Sequence, residues 1–145
     1  MNRAVFVDAS AWVAITNRRD GYHFIAQDLY HQLLSGKTPL FTTSWVAYEA
    51  LSLIKGRMGH KKMLALWEVL NDPQLIKLVR VNRAMEEAGL KLFFNYQDKT
   101  WGVVDCVSIA TMTLLNCRRA FAFDEHFREA ARQSNLEIIP ELAET

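Results

Sequence analysis

Cysteine is scarce in this chain, and the two that occur, Cys106 and Cys117, stand eleven residues apart. Within one helix that spacing is about 16 Å along the axis, farther than a disulfide reaches. No cysteine–histidine spacing has the form of a zinc site, so we expect two small core thiols in a reducing compartment. No apolar run is long enough to cross a bilayer, and Met1 to Val7 leads straight into Asp8 rather than into a cleavable signal. We therefore expect a cytoplasmic protein without a membrane partner. A dominant charge is missing too: seventeen basic against sixteen acidic residues give +1, which argues against a surface dedicated to nucleic acid. Linkers, repeats and low-complexity stretches are also absent. That leaves 145 residues, 50% of them hydrophobic, as one domain over 1–145 with a single well-filled core.

What the chain does contain is a set of acids at unusual places. Asp8 closes the run Ala4-Val5-Phe6-Val7, Glu49 lies within Trp45-Val46-Ala47-Tyr48-Glu49-Ala50-Leu51, Asp105 opens a long apolar stretch, and Asp124 follows Ala120-Phe121-Ala122-Phe123. Carboxylates are seldom buried without a partner, so acids set against apolar runs call for a cation or a hydrogen-bond network. If the four converge, the matching cation is a hard one, magnesium or manganese. With these four offset by metal, sixteen acids become twelve and the remaining balance is +5. The basic clusters at Arg18-Arg19, Lys55 to Lys62 and Arg118-Arg119 then either attract phosphates or form solvated helix faces.

Periodicity orders these residues along alternating elements. Residues 4–7 read as a strand, followed by a helix from Asp8-Ala9-Ser10 to about Asn17. A second helix after Asp20-Gly21 carries Phe24, Leu29, Leu33 and Leu34 on one stripe and stops at Gly36. Pro39 to Thr42 reads as a strand, and Thr43 or Ser44 caps a helix that holds Glu49 and ends near Arg57. Beyond Gly59 a helix runs to about Leu70, then a strand over 75–81, then a helix capped by Asn82 with Met85, Ala88, Leu92 and Tyr96 on one face. After a loop at 97–102 the segment from Asp105 to about Asn116 is apolar on most sides, a helix buried between layers; its dipole favours an ionised Asp105 at its start. Residues 120–123 form a strand ended by Asp124, a helix spans 125–133, and 136–139 is a last strand. Such alternation predicts a three-layer α/β/α sandwich with a mainly parallel central sheet. Ligands bind such sheets beyond the carboxyl ends of the strands, where Asp8 and Asp124 fall.

In that order, Val7-Asp8-Ala9-Ser10, Glu49, Val104-Asp105-Cys106-Val107-Ser108 and Ala122-Phe123-Asp124-Glu125-His126-Phe127 resemble a PIN domain, and within it the VapC-like toxins of toxin–antitoxin pairs. The resemblance covers nearly the whole chain. It implies a magnesium-dependent endoribonuclease with Asp8, Glu49, Asp105 and Asp124 as its acidic quartet and Ser10 hydrogen-bonding the site. It also draws in Asp98, since relatives often carry an acid several residues before the third quartet member; here Val104 stands where a hydroxyl often precedes that aspartate. An antitoxin whose C-terminal segment lies in a groove, presenting a basic residue to the acids, and a homodimer are further implications. Among the candidate metal ligands Asp8, Asp105 and Asp124, Asp8 is then the first choice for direct contact with Asp105 or Asp124 beside it, Glu49 binds through water or orients the nucleophile, and in-line attack leaves a 5′ phosphate and a 3′ hydroxyl.

Each residue also has a plainer use. Asp8, Asp105 and Ser10 can cap helices, Glu49 can pair with a lysine, Asp124 can form a turn, and Asp98 can cap its loop. His23, His31 and His60 read as surface residues, His126 as structural, and Trp101 as a packing residue or a platform for a base. Two other functions stay open: a PIN nuclease that processes RNA without an antitoxin, and a catalytically silent RNA- or protein-binding module of the same fold. A haloacid-dehalogenase-like phosphatase is disfavoured, because Asp8-Ala9-Ser10 lacks a second aspartate two residues on.

Overall fold

The computed structural model describes residues 3–142. Its strands are short apolar runs that cannot be told from buried helix by periodicity alone and are settled by pairing: β1 (Val5–Val7), β2 (Leu40–Thr43), β3 (Lys77–Val79), β4 (Arg119–Phe121) and β5 (Glu137–Ile139). Between and around them lie α1 (Ala9–Thr16), α2 (His23–Ser35), α3 (Ser44–Met58), α4 (His60–Leu70), α5 (Arg83–Asn95), α6 (Val103–Leu114) and α7 (Glu125–Gln133). The sheet order is β3-β2-β1-β4-β5, and all four pairings are parallel. With helices as its flanking layers this is the expected α/β/α sandwich. β1 and β2 are buried along their whole length, whereas the outer strands β3 and β5 are only partly covered, as a sheet covered on both faces requires of its centre.

The order of the strands places the site. From β1 the chain steps outward through β2 and β3, then returns to the other side of β1 for β4 and β5, so β1 and β4 flank the point where the winding reverses. Loops leaving the carboxyl ends of two such strands diverge and open a crevice. The core beneath it is aromatic: Phe6 of β1 packs edge-on against Phe41 at 5.3 Å and stacks on Phe127 of α7 at 6.0 Å. α5 and α6 lie unusually close at Gly89, where a Cβ would stand 2.5 Å from the Val107 Cα.

Several elements differ from their sequence outlines. The third strand pairs only over Lys77–Val79, not 75–81. α6 begins at Val103, so Asp105 is its third residue rather than its first, and β4 ends at Phe121, three residues before Asp124. Cys117 lies beyond α6, in the turn before β4, and both thiols are buried and free. Burial, with Asp105 adding, pushes the Cys106 thiol up to about 11, so it is not a thiolate at neutral pH. Phe24 stands 80% exposed, off the stripe that buries Leu33. His23 is buried rather than on the surface, because its Nδ1 bonds the Ala14 carbonyl at 2.8 Å and so satisfies the ring inside the fold.

Candidate active site

The position of Asp8 follows from the sheet. Its backbone N–H donates to the Phe121 carbonyl of β4 at 3.0 Å, and the buried Thr42 hydroxyl donates to the carbonyl of Val7 at 2.8 Å. Both neighbours of β1 therefore grip the chain just where the acid emerges. The side chain caps α1, accepting the Ser10 N–H at 3.3 Å and the Ser10 hydroxyl at 2.8 Å. Capping and a role in the crevice are compatible, because a carboxylate has about four acceptor sites.

The other acids arrive from three helices. Thr43 caps α3, its hydroxyl accepting the Val46 N–H at 3.2 Å, and this sets the helix phase that turns Glu49 toward the crevice. Asp105, in the first turn of α6, accepts the Gly102 N–H at 3.2 Å. Asp124 is the cap of α7, accepting the Phe127 N–H at 2.9 Å. The turn bearing Asp124 is held twice more. The Ser10 hydroxyl accepts the N–H groups of Phe123 and Asp124 at 2.9 and 3.2 Å, and the buried Arg128 guanidinium donates to the carbonyls of Ala122 and Pro140 at 2.9 and 3.2 Å.

Asp8, Ser10, Glu49, Asp105 and Asp124 line one cavity of about 640 Å³. Their charges are mutually unfavourable. Burial pushes the Asp8 carboxyl up to about 6, against the opposing pull of its Ser10 bonds, with Asp124 adding. Burial pushes Asp105 up to about 7, reinforced by Asp8 and Asp124. Glu49 is raised as well, first by desolvation and then by the same two neighbours. A divalent cation would relieve what each acid inflicts on the others. The donor set, all carboxylate oxygens beside open solvent space, fits a hard ion that keeps part of its water. As the side chains stand, no three His, Cys, Asp or Glu residues among those described are arranged to wrap a metal ion.

The family model described as "PIN domain" matches residues 5–133. The chain belongs to the PIN family. Nucleases of that family are in general dependent on divalent metal. Among curated proteins, this PIN domain is similar to the "23S rRNA-specific endonuclease VapC20" of Mycobacterium tuberculosis, 28% identical over 127 residues, which is 87% of this chain and 93% of the relative. The crystal structure of Mycobacterium tuberculosis VapC20, described there as a sarcin-ricin loop cleaving toxin, superposes with a TM-score of 0.77 at 27% identity over 87% of this chain and 94% of that one. VapBC2 from Rickettsia felis bound to promoter DNA (TM-score 0.67, 12% identity, 93% and 96% covered) and FitAcB from Neisseria gonorrhoeae (0.66, 13%, 94% and 96%) share the fold. This PIN domain is thus homologous to the VapC endonuclease toxins.

Two residues drawn in from the sequence lie elsewhere. Asp98 does not line the cavity; it is exposed and pairs with Lys99 at 3.8 Å. Trp101 is buried, donating its indole N–H to Glu129 at 3.0 Å, so it offers no face to a base. His126 does stand on the cavity wall. Asp20 and Tyr22, not among the residues expected at the site, also line it, as does Arg57 of the basic run at 55–62. Tyr22 lies flat on Phe123 at 4.7 Å while staying 41% exposed. A signal existed only for Arg57, which lies eight residues after Glu49 and so on the same side of α3.

Proposed function

We propose that this PIN domain is a magnesium-dependent endoribonuclease, with manganese as a competent substitute, and the toxin of a toxin–antitoxin pair. The supporting observation is the convergence of Asp8, Glu49, Asp105 and Asp124 on one crevice at the winding reversal, with Asp8, Glu49 and Asp105 raised in pKa by burial and by neighbouring acids. Asp8, Asp105 and Asp124 are the residues that would hold the ion, and Glu49 at the rim would orient the attacking water. Bound there, the ion supplies charge neutralisation on the phosphoryl oxygens and an acidified water. The chain's own contribution is positional: Ser10 aims Asp8, and the Arg128 bonds keep the Asp124 turn in place. Tyr22 gives an exposed aromatic face beside the cavity, suited to stacking one base of a single-stranded or looped RNA. The 28% likeness to a 23S rRNA-specific endonuclease makes ribosomal RNA the first substrate to test.

For the partner, α1, α2 and α4 bound a groove of about 320 Å³ with Trp12, Ile15, Tyr30, Leu66 and Val69 on its walls. The buried Trp12 indole N–H has no hydrogen-bond partner among the described residues, and Phe24, Ile25 and Leu64 are exposed large apolar side chains of α2 and α4. An antitoxin segment would cover this surface and reach toward the acids; a homodimer and a cytoplasmic location complete the picture. No helix among the described residues is long and apolar enough to cross a membrane. The decisive experiment maps cleavage ends in ribosomal RNA incubated with wild type and with Asp8→Asn. A cut that requires magnesium and falls by about two orders of magnitude or more in the variant, with folding intact, supports the assignment. Equal cutting by both proteins removes Asp8 from the site.

A further inference from the structure

A cavity walled by acids repels the polyanion it is meant to cut. Asp8, Asp20, Glu49, Asp105 and Asp124 face it, and Arg57 is the one lysine or arginine on its wall among the described residues. The ion offsets the acids only at the phosphate being cut, so a grip on the rest of the strand has to come from beside the cavity. Arg57 points to where. On α3 the residues Glu49, Leu53 and Arg57 recur every four positions and all line the crevice. Arg57 thus lies about 12 Å along the helix from Glu49 at 1.5 Å per residue.

On its other side Arg57 forms the wall of a second depression, of about 380 Å³, shared with Arg18, Arg19 and Lys62 and with no carboxylate on its lining. These cations come from three places in the chain: the loop after α1, the end of α3 and the start of α4. None takes part in a salt bridge among the described residues, whereas Arg83 and Lys99 do. A solvated helix face usually mixes its charges; here four exposed charges of one sign share one hollow. Within the loop the Asn17 side-chain oxygen accepts the Arg19 N–H at 3.0 Å. Of the three basic clusters in the sequence, Arg18-Arg19 and members of the 55–62 run meet beside the acids, while Arg118 lies at the opposite, amino end of the sheet.

We propose that Arg57, Arg18, Arg19 and Lys62 form a phosphate cradle that grips the RNA backbone a few nucleotides to one side of the bond being cut. The inference rests on the nuclease assignment above and names how its substrate is held. Guanidinium forks suit phosphate oxygens, and the continuous wall through Arg57 carries the strand from cradle to cavity.

The test measures binding of a labelled RNA oligonucleotide, spanning the site cut by wild type, in EDTA at a series of KCl concentrations. Wild type is compared with Arg57→Gln, Arg18→Gln/Arg19→Gln and Lys62→Gln, and with Lys37→Gln/Arg118→Gln, which removes two exposed charges at the far end of the sheet. Each cradle charge removed lowers the salt slope by about 0.7, and the Arg18/Arg19 pair raises KM several-fold with kcat kept, while the far pair changes neither. Thermal melts confirm that these surface variants fold. Equal slopes and KM values for the two pairs, in a protein that does cut RNA, overturn the cradle and leave the nuclease standing. So does a loss confined to binding of an acidic protein partner. A wild type that neither binds nor cuts RNA overturns the nuclease assignment and the cradle with it.

Discussion

The Ser10 hydroxyl donates to Asp8 at 2.8 Å, and its oxygen accepts the backbone N–H groups of Phe123 and Asp124. One small side chain thus joins the end of β1 to the turn that carries the acid after β4. Ser10→Ala removes the bond that counters the rise in Asp8 pKa and leaves two N–H groups without that acceptor. A hydrogen bond to a charged group contributes about 1.5–3 kcal/mol. The expected outcome is a melting temperature lowered by several degrees, cleavage reduced about tenfold or more, and an acid limb of the pH–rate profile moved to higher pH. Ser10→Thr keeps the hydroxyl and should restore the profile; if Ser10→Ala leaves that limb in place, Ser10 does not tune Asp8.

The acids also set the pH dependence of stability. Asp8 and Asp105 titrate at about 6 and about 7 in the fold, against an ordinary 3.8. Between those values the folded state holds protons that the unfolded chain has released, so stability falls as pH rises from about 4 to 7 and stays low above. For Asp8 alone the loss is on the order of 3 kcal/mol. Metal-free protein should therefore melt several degrees lower at pH 8 than at pH 5, and magnesium should close much of the gap, since a ligand of the folded state stabilises it by mass action. Denaturation followed across pH in EDTA and in magnesium checks both statements. A metal-free stability that is flat or rising over that range contradicts the repulsion.

Replacing one charge isolates the cause. Asp105→Asn keeps an oxygen to accept the Gly102 N–H while ending the repulsion from Asp8 and Asp124. At pH 8 without metal the variant should melt higher than wild type, by about 5 °C for a gain of 1–2 kcal/mol, yet lose magnesium binding by calorimetry and nearly all cleavage. At pH 5, where wild-type Asp105 is already protonated, the stability gain should vanish. A variant less stable than wild type at pH 8 would mean that Asp105 is held by partners rather than opposed by them.

Which of these relationships the sequence exposes depends on how local their causes are. Asp8, the Thr43 cap ahead of Glu49 and the apolar character of α6 show in short windows, because strand length, capping residues and helical period are local properties. The site's outer wall is not local. Asp124 sits beyond its strand because β4 stops pairing with β1 at Phe121 and Ser10, more than a hundred residues earlier, holds the next turns. Asp98 lies off the cavity wall, where Lys99 approaches both it and Glu129 of α7, whose carboxylate also accepts the Trp101 indole N–H. His23 is buried by a bond to a backbone carbonyl, which no side-chain spacing announces. Tyr22 stacks on Phe123 across about a hundred residues of sequence, a contact no local window shows.

That stack makes Tyr22 a test of substrate contact without metal chemistry. Its ring stacks on Phe123 at 4.7 Å while the residue stays 41% exposed, and base–aromatic stacking contributes about 1–3 kcal/mol per base. Tyr22→Ala should weaken RNA binding and kcat/KM about fivefold to a hundredfold, whereas Tyr22→Phe, which keeps the ring, should act like wild type. Magnesium affinity should be unchanged in both. If Tyr22→Phe is as damaged as Tyr22→Ala, the hydroxyl rather than the face is what the substrate meets.

Gly89 tests how rigidly α6 presents Asp105. Gly89→Ala would ordinarily gain about 1 kcal/mol of helix propensity within α5. Here the new methyl would meet the Val107 Cα at 2.5 Å and its backbone N at 2.9 Å. Backbone cannot swing aside as a side-chain tip can, so α6 must retreat, two residues from Asp105. Overpacking costs about 1–3 kcal/mol, enough to cancel the propensity gain or outweigh it. The expected result is a melting temperature unchanged or lowered by several degrees, together with cleavage reduced beyond what the stability change explains, because the acid moves with its helix. A variant that is more stable and fully active would show that α5 and α6 part at no cost, and that the close approach at Gly89 does not position the acid.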